Sequence, residues 1–348
     1  MPRLRLPLAA LALALALPGW WIDARVFFAC WLVAWWFGLG LVLGGLTNIW
    51  IHRLSGGRWG EALRPPVQWT ARRMPWVIVL FLPLAAGLGL LYPWARGDAA
   101  WTAGLARPAF VTAWLEPTAF WIRMALYALA WWWMARPSVP QRKGRVAGAL
   151  ALHVVLSSLA SVDLLMSLVP GWFSTAFGLV VLSGQATGAT ALSVLRLAHA
   201  AADPKPPWRD LGNLMLMWVM VWAYVAFMEF LIIWAENLPR EIAFFVPRLQ
   251  TGWVWVSLAL ALVMFVLPTL ALLWRAIKDD PRRLRGVAAV VLAMQLVNTA
   301  WLVLPSVAPH SLLGWWLVPL LALAMGLALF GGPAAEPARL SGAGHAHP

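Results

Sequence analysis

Long apolar runs separated by short polar segments occupy almost the whole chain. A helix needs about 20 residues to cross a ~30 Å hydrocarbon core, and about ten runs have roughly this length. We therefore predict an all-α polytopic membrane protein with about ten transmembrane helices and no sizeable soluble domain. The predicted spans are residues 4–21, 26–51, 74–92, 117–135, 146–169, 172–198, 211–235, 250–275, 284–305 and 311–331.

Two prolines lie well inside predicted spans rather than at their ends. Pro83 falls within the third span and Pro268 within the eighth. Proline lacks a backbone N–H and clashes with the preceding helical turn. We therefore expect the helices to be distorted at both positions.

The composition agrees with this pattern, because 62% of the 348 residues are apolar and only 11% are charged. A soluble domain carries about a quarter charged residues, so burial in a bilayer fits the chain better. The 27 tryptophans are far above ordinary usage, and indole rings favour the headgroup level of a membrane. We expect most of them to be interfacial anchors.

The net charge of +13 is spread over short segments between the apolar runs. A groove for a polyanion would gather the charge on one surface, so we expect no nucleic-acid partner. Most basic residues between spans fall on the side of the chain termini. The positive-inside rule therefore predicts a multi-pass inner-membrane protein with both termini in the cytoplasm. The basic residues on the other side are Arg25, Arg96, Arg107, Arg240 and Arg248.

A single cysteine, Cys30, limits the cofactors that the chain can bind. It excludes a disulfide framework, a Cys-ligated iron–sulfur cluster and covalent c-type haem attachment within this chain. A b-type haem needs two deep histidines on facing helices, and His153 is the only deep one that we identify. We predict no metal site and no covalently bound cofactor.

Three charged residues lie well inside predicted spans, away from the span ends, where each costs on the order of 3 kcal/mol or more. Arg123, Asp163 and Glu229 come from three different spans, and all reach a similar depth near the outer side. Trp222, Glu229 and Glu236 recur every seven residues and therefore share one helix face. This arrangement predicts either a polar pocket or proton relay that opens outward, or a structural Arg–carboxylate cluster.

Further polar residues lie toward the cytoplasmic side of the predicted spans. Asn48 and His52 are one turn apart near the end of span two, and His153 precedes Ser157 by one turn in span five. They can form a proton entry path together with Glu236 across the membrane. The alternative is that neighbouring hydroxyls or headgroups satisfy the histidines.

Spans two and six share local features that favour an internal repeat. Each carries a GxxxG pair, which allows close helix packing, and each contains an aromatic–glycine dipeptide. We therefore predict two four-helix bundles, at 23–170 and 171–306. They are flanked by an N-terminal transmembrane helix at 1–22, a C-terminal one at 307–331 and a flexible cytoplasmic tail at 332–348. The first helix resembles a signal peptide but has no convincing cleavage site, so we expect it to be retained. The glycine pairs are Gly40–Gly44 and Gly184–Gly188, and the dipeptides are Phe37-Gly38 and Phe177-Gly178.

Five groups of motifs carry a family resemblance. They are Leu54–Gly60, Phe81–Pro83 with Leu91–Trp94, Asp163–Thr175, Leu211–Met215 running into Trp222–Phe227, and Phe230–Pro239 with Leu249–Trp253. Together they resemble the ActF-type membrane subunit of alternative complex III, a bacterial quinol:cytochrome c oxidoreductase, in the NrfD/polysulfide-reductase membrane-subunit superfamily. The resemblance runs from about residue 26 to about 305. The family usually has tryptophan after the aspartate of the third motif, where this chain has Leu164.

The resemblance implies a ten-helix subunit of a respiratory electron-transport complex. Its partners would be c-haem and iron–sulfur subunits and a sister NrfD-like subunit, with quinone or menaquinone reached from the membrane lipid. Family members are described as quinone-binding. The ActF type is the second such subunit, however, so proton conduction or structural support is an alternative role.

We therefore expect quinol to dock near the outer ends of spans four to seven. Asp163 and Glu229 are the predicted proton acceptors, Arg123 is their predicted charge partner, and Trp172 and Trp222 are candidate quinone contacts. A proton-conducting or scaffold subunit without quinone is the second hypothesis. A secondary transporter is the third, although we find no matched pair of broken half-helices at the midplane.

Overall fold

The computed structural model describes residues 4–97, 100–103, 105, 107–136, 143–199 and 206–332. Every regular element in these ranges is helical, which confirms the predicted all-α polytopic class. All but the first residue of the predicted tail at 332–348 lies outside the described ranges.

The helices of the first half are α1 (Arg5–Ala16), α2 (Pro18–Ile22), α3 (Ala24–Ser55), α4 (Trp59–Ala71), α5 (Met74–Val79), α6 (Leu84–Leu91), α7 (Pro108–Trp114), α8 (Pro117–Met134) and α9 (Lys143–Leu164). Those of the second half are α10 (Phe177–His199), α11 (Trp208–Glu236), α12 (Pro239–Ile242), α13 (Val246–Leu249), α14 (Trp253–Ala259), α15 (Leu267–Leu273), α16 (Arg275–Lys278), α17 (Pro281–Val307) and α18 (Gly314–Phe330).

Seven stretches among the described residues are long and apolar enough to cross a membrane. The other three predicted spans are helical but shorter, less apolar or broken. α18 has 17 residues, α8 includes Arg123 and four tryptophans, and the span at 74–92 is divided into α5 and α6. The seven stretches are Arg5–Ile22, Ala24–Ser55, Lys143–Leu168, Phe177–Ala198, Trp208–Glu236, Trp253–Leu273 and Pro281–Val307.

α3 is the central helix, and nearly all of it is buried between Val26 and His52. It packs against α10, α17 and α18, and also against α4, α6 and α9. α10 in turn packs against α9, α11 and α17, while α1 packs against α18. The first helices of the two predicted bundles, α3 and α10, therefore contact each other directly.

The helical break at Pro83 is more complete than the predicted kink. α5 ends at Val79 and α6 begins at Leu84, so the carbonyl groups around the break lose their helical partners. Trp35 Nε1 donates to the Val77 carbonyl at 2.7 Å, and Trp31 Nε1 donates to the Leu80 carbonyl at 3.0 Å. Part of the tryptophan excess therefore serves the protein interior and not the headgroup level.

The distortion at Pro268 takes a different form. Residues Leu260–Val266, directly before the Leu267-Pro268 pair, form wide π-helical turns between α14 and α15. Such turns are one recognised source of helix distortion near a proline. The predicted distortion is therefore confirmed, and the helix continues through it.

The segment between spans two and three contains a helix that we did not predict. α4 buries Leu63, Val67 and Trp69 against the bundle while Glu61 and Gln68 stay exposed. Pro65 and Pro66 lie inside this helix. α7 likewise lies between the predicted spans 74–92 and 117–135, where we predicted no helix.

Glycines let α3 and α10 approach closely, as the GxxxG pairs predict. A Cβ atom at Gly44 would lie 2.2 Å from the backbone oxygen of Gln185, so a larger residue cannot be placed there without separating the helices. Gly184 faces α17 instead, where the carboxamide of Gln295 fills the space.

An exposed ion pair joins the start of α11 to the segment before α17. Arg209 donates to Asp279 through Nε at 2.8 Å and Nη2 at 2.6 Å. The hydrogen-bonded guanidinium holds the pKa of the Asp279 carboxyl below its ordinary value.

Candidate functional site

Asp163, near the end of α9, is fully buried and accepts four side-chain hydrogen bonds. Arg123 donates two, from Nε to Oδ2 at 2.9 Å and from Nη2 to Oδ1 at 3.0 Å. Tyr127 donates its hydroxyl to Oδ2 at 2.9 Å, and Trp114 donates its indole N–H to Oδ1 at 2.8 Å. A proton can therefore reach this carboxylate only by displacing a donor that already holds it.

Local sequence explains how two helices bring these donors together. Arg123 and Tyr127 are four residues apart in α8 and so share one face. Trp114 ends α7, and Glu116 caps the start of α8 by accepting the Ala119 N–H at 2.8 Å. Arg123 was predicted from the sequence as a charge partner, whereas the two neutral donors, Tyr127 and Trp114, were not. The i,i+4 spacing in α8 was the signal for one of them.

Glu229 lies on the buried face of α11 and has a much simpler environment. In the described part of the protein, its one hydrogen bond comes from the hydroxyl of Ser174. Arg123 does not bind it: the salt bridge of that residue is to Asp163. This corrects the prediction that one arginine would serve both carboxylates. The cation that acts electrostatically on Glu229 is Arg248.

The predicted face of α11 is only partly buried. Trp222 and Glu229 are buried, whereas Glu236, seven residues further along, is exposed. α11 ends at Glu236, and Asn237 adopts a left-handed conformation with φ of 50°. Glu236 therefore lies at the helix terminus and not within a buried relay.

One twelve-residue segment connects the two carboxylates. It begins at Asp163, whose carbonyl accepts the Ser167 hydroxyl at 2.5 Å, and ends at Ser174, which donates to Glu229. Between them, Trp172 stacks on Phe244 with a centroid separation of 4.2 Å. The segment is therefore fixed at its start, in its middle and at its end.

Arg248 is a functional candidate that the sequence analysis missed, because we counted it among the loop cations. It is fully buried, and its guanidinium lies 3.3 Å from the ring centre of Phe244. It donates to the carbonyl groups of Phe244, Trp301 and Leu302 and to the Ser306 hydroxyl at 3.0 Å. Three of these acceptors lie in the last two turns of α17, and the Trp301 carbonyl has no N–H to accept from one turn later because residue 305 is proline. Arg248 thereby ties the segment after α11 to α17.

Both candidate quinone contacts are buried aromatic residues with an unused donor. The indole N–H groups of Trp172 and Trp222 have no hydrogen-bond partner within the described residues. Trp172 lies two residues before Ser174, and Trp222 lies two helical turns before Glu229 on the same face of α11. A buried indole N–H usually has a partner, so these two groups differ from the ordinary case.

The polar residues toward the other end form separate contacts. Asn48 accepts from Trp218 at 2.7 Å and donates to Thr190 at 2.9 Å, which links α3, α10 and α11. His52 hydrogen-bonds the Gly57 carbonyl at 2.8 Å. Neither Asn48 nor His52 hydrogen-bonds His153 or Ser157.

His153 is fully buried in α9, where its Nε2 lies 3.5 Å from Ser157 Oγ. Its ring also packs against Trp50, with centroids 5.3 Å apart. Within the described ranges, the residues of the predicted proton path at this end therefore form separate clusters. No hydrogen bond joins these clusters there.

The arrangement gives the two carboxylates different chemical capacities. Asp163 is saturated by protein donors and suits a structural or electrostatic role. Glu229 is buried and has free acceptor capacity and one hydroxyl neighbour, which suits proton exchange with a ligand hydroxyl. No group of three or more His, Cys, Asp or Glu side chains in the described ranges is arranged to hold a metal ion.

No protein-family model matches the chain, and no curated protein matches it significantly.

Proposed function

We propose that this chain is a membrane subunit of a quinol:electron-acceptor oxidoreductase of the alternative complex III type, and that Glu229 accepts the quinol proton. The observation that carries the proposal is the environment of Glu229. Glu229 is a buried carboxylate with one hydrogen-bond donor, Ser174, among the described residues. Two buried indole N–H groups have no partner there: that of Trp172, two residues before Ser174, and that of Trp222, two turns before Glu229 in α11. The motifs at Asp163–Thr175 and Phe230–Pro239, which support the family resemblance, contain or adjoin this site.

The contacts favour different roles for the two predicted proton acceptors. Asp163 anchors the segment that carries Trp172 and Ser174, because its ion pair with Arg123 holds the start of that segment. Glu229 is the group with room for a new hydrogen bond. We therefore propose a positioning role for Asp163 and a proton-accepting role for Glu229.

A lipid-soluble substrate fits the surroundings of α11. The helix buries Glu229 on one face and exposes large apolar side chains on the other, among them Phe227 and Trp234. In a membrane, this outer face contacts lipid, from which an isoprenoid quinol would diffuse. Trp172 and Trp222 would donate to the quinol or quinone oxygens.

The reaction balances with partners of the kind that the resemblance implies. Oxidation of quinol to quinone releases two electrons and two protons. The electrons would pass to iron–sulfur and c-haem centres of partner subunits. Glu229 would take one proton, release it through the Ser174 hydroxyl toward the nearer membrane surface, and then take the second. In the predicted orientation, with both termini in the cytoplasm of a bacterial inner membrane, that surface is the periplasmic one.

A proton-conducting or scaffold subunit without quinone is the second candidate. The observation that favours it is the buried polar contact of Asn48 with Thr190 and Trp218, together with His153 and Ser157. These groups lie toward the opposite side of the predicted spans from Glu229, and the proposed quinol oxidation does not use them.

Purification from the native membrane in mild detergent tests the proposal. We expect c-haem absorbance, iron–sulfur and sister membrane subunits by mass spectrometry, and extractable quinone whose amount falls when both Trp172 and Trp222 are replaced by Phe. Partners together with a quinone content unaffected by these substitutions would favour the conducting or scaffold role. A colourless protein without partners would contradict both roles and favour a transporter.

A further inference from the structure

The centre of the molecule contains a small polar cavity that the proposed function does not use. It lies where α3, α10 and α17 meet, and its volume is about 10 Å³. Four polar residues line it, and all are at least 94% buried. They are Gln185 of α10 and Gln295, Asn298 and Thr299 of α17.

Gln185 differs from the buried hydroxyl residues of its own helix. Ser183, Thr187, Thr190 and Ser193 each donate to a carbonyl group one turn earlier in α10. A glutamine has both donors and an acceptor to satisfy. Neither Nε2 nor Oε1 of Gln185 has a hydrogen-bond partner in the described part of the protein.

The facing carboxamides are also weakly satisfied. Asn298 Nδ2 approaches Gln295 Oε1 at 3.5 Å, which is the limit of a hydrogen bond. Thr299 donates to the Gln295 backbone carbonyl at 2.9 Å, so this bond does not satisfy the Gln295 side chain. Three carboxamides therefore meet at the cavity with unused donors and acceptors.

Glycines create the space that these side chains occupy. A Cβ at Gly40 of α3 would lie 2.9 Å from Gln185 Cγ, and one at Gly188 would lie 2.9 Å from Gln295 Cγ. A Cβ at Gly184 would lie 2.8 Å from Gln295 Nε2. The glycines of the GxxxG pairs therefore have two effects: they allow close packing of the helices, and they leave space for the side chains of Gln185 and Gln295.

We infer that one ordered water molecule occupies this cavity and bridges Gln185 to the carboxamides of α17. A buried water needs a cavity of about 10–15 Å³ and two to four polar partners, and both conditions are met. Water supplies both the donors and the acceptors that the carboxamides lack. A metal cation would lose its hydration shell without gaining a carboxylate, because no charged side chain lines the cavity. The water is a structural link between α10 and α17 at the contact with α3.

A high-resolution map of the full chain is the direct test. We expect a single spherical density within about 3 Å of the Gln185 carboxamide. Its absence from a map that resolves other buried waters would overturn the inference. So would a map in which the Gln185 carboxamide hydrogen-bonds a protein group.

The sign of a stability change provides an independent test. Gln185→Met keeps the length of the side chain and removes its polar atoms. If water bridges the carboxamides, this change removes the bridge, and the melting temperature falls by several degrees. If the cavity is dry, the change removes an unsatisfied buried carboxamide, and the melting temperature rises, which would refute the inference. Gln250→Met, at an exposed position, is the matched control and should leave the melting temperature unchanged.

Discussion

Arg123 and Asp163 form a two-pronged ion pair, with Nε–Oδ2 and Nη2–Oδ1 distances of 2.9 and 3.0 Å, that joins α8 to the end of α9. The segment after Asp163 carries Trp172 and Ser174, so the ion pair fixes the start of the loop that reaches Glu229. We therefore expect loss of this ion pair to lower the stability of the folded protein.

Breaking this pair should destabilise the protein strongly. Asp163→Asn or Arg123→Gln alone leaves a buried charge without its partner, which costs roughly 3–5 kcal/mol. The double variant leaves no uncompensated charge, so its loss should be clearly smaller than the sum of the two single losses. Thermal unfolding of the four proteins in detergent measures the coupling. Strictly additive losses would contradict a direct pair.

Arg248 should not tolerate replacement by lysine. The guanidinium donates to three carbonyl groups and to the Ser306 hydroxyl, whereas an ammonium group cannot match that planar geometry. Each acceptor left unsatisfied costs about 1–3 kcal/mol. We expect a marked fall in melting temperature for Arg248→Lys and almost none for Arg240→Lys, which is exposed in the same connection. Equal effects of the two changes would argue against the buried role.

Gly44 should be intolerant of even one added methyl group. Gly44→Ala places a Cβ against the Gln185 backbone oxygen, and the resulting strain should cost roughly 1–3 kcal/mol. Gly148→Ala is the matched control, because a Cβ there meets open space on α9 and improves helix propensity. The comparison requires only thermal melts of the two variants. A neutral Gly44→Ala would show that α3 and α10 are further apart than described.

The contribution of the Arg209–Asp279 pair should depend on pH in a defined direction. The folded-state pKa of Asp279 is lowered by Arg209, so the stabilisation is complete above the ordinary aspartate value of about 4 and is lost as the pH falls through the lowered pKa. The melting-temperature difference between wild type and Asp279→Asn should be constant from neutral pH to about 4 and shrink below it. A difference that grows on acidification would contradict the assignment.

Parts of this architecture follow directly from the sequence. The long apolar runs predict the helices, and the shared depth of Arg123 and Asp163 predicts their contact, since membrane burial leaves an unpaired charge no stable alternative. The break at Pro83 was predicted as a kink. Its completeness depends on Trp31 and Trp35, whose partners are visible only in three dimensions.

Other parts could not be predicted from the residues alone. Glu229 was expected beside Arg123, but the partner of Glu229 is Ser174, because the loop after α9 folds back toward α11. Arg248 lies in a connection where arginine ordinarily faces solvent. Its burial depends on two carbonyl groups and the Ser306 hydroxyl of α17, 53 to 58 residues later in the chain. Long-range loop geometry of this kind has no local sequence signal.

The most direct test of the central claim is quinol-dependent turnover of the purified complex that carries Glu229→Gln. The change keeps the size of the side chain and removes its ability to take a proton, so turnover should fall by about 10²-fold or more while subunit and quinone content stay intact. Glu236→Gln, exposed on the same helix, should keep the wild-type rate. Wild-type turnover in Glu229→Gln, with the complex intact, would contradict the proposal that Glu229 accepts the quinol proton.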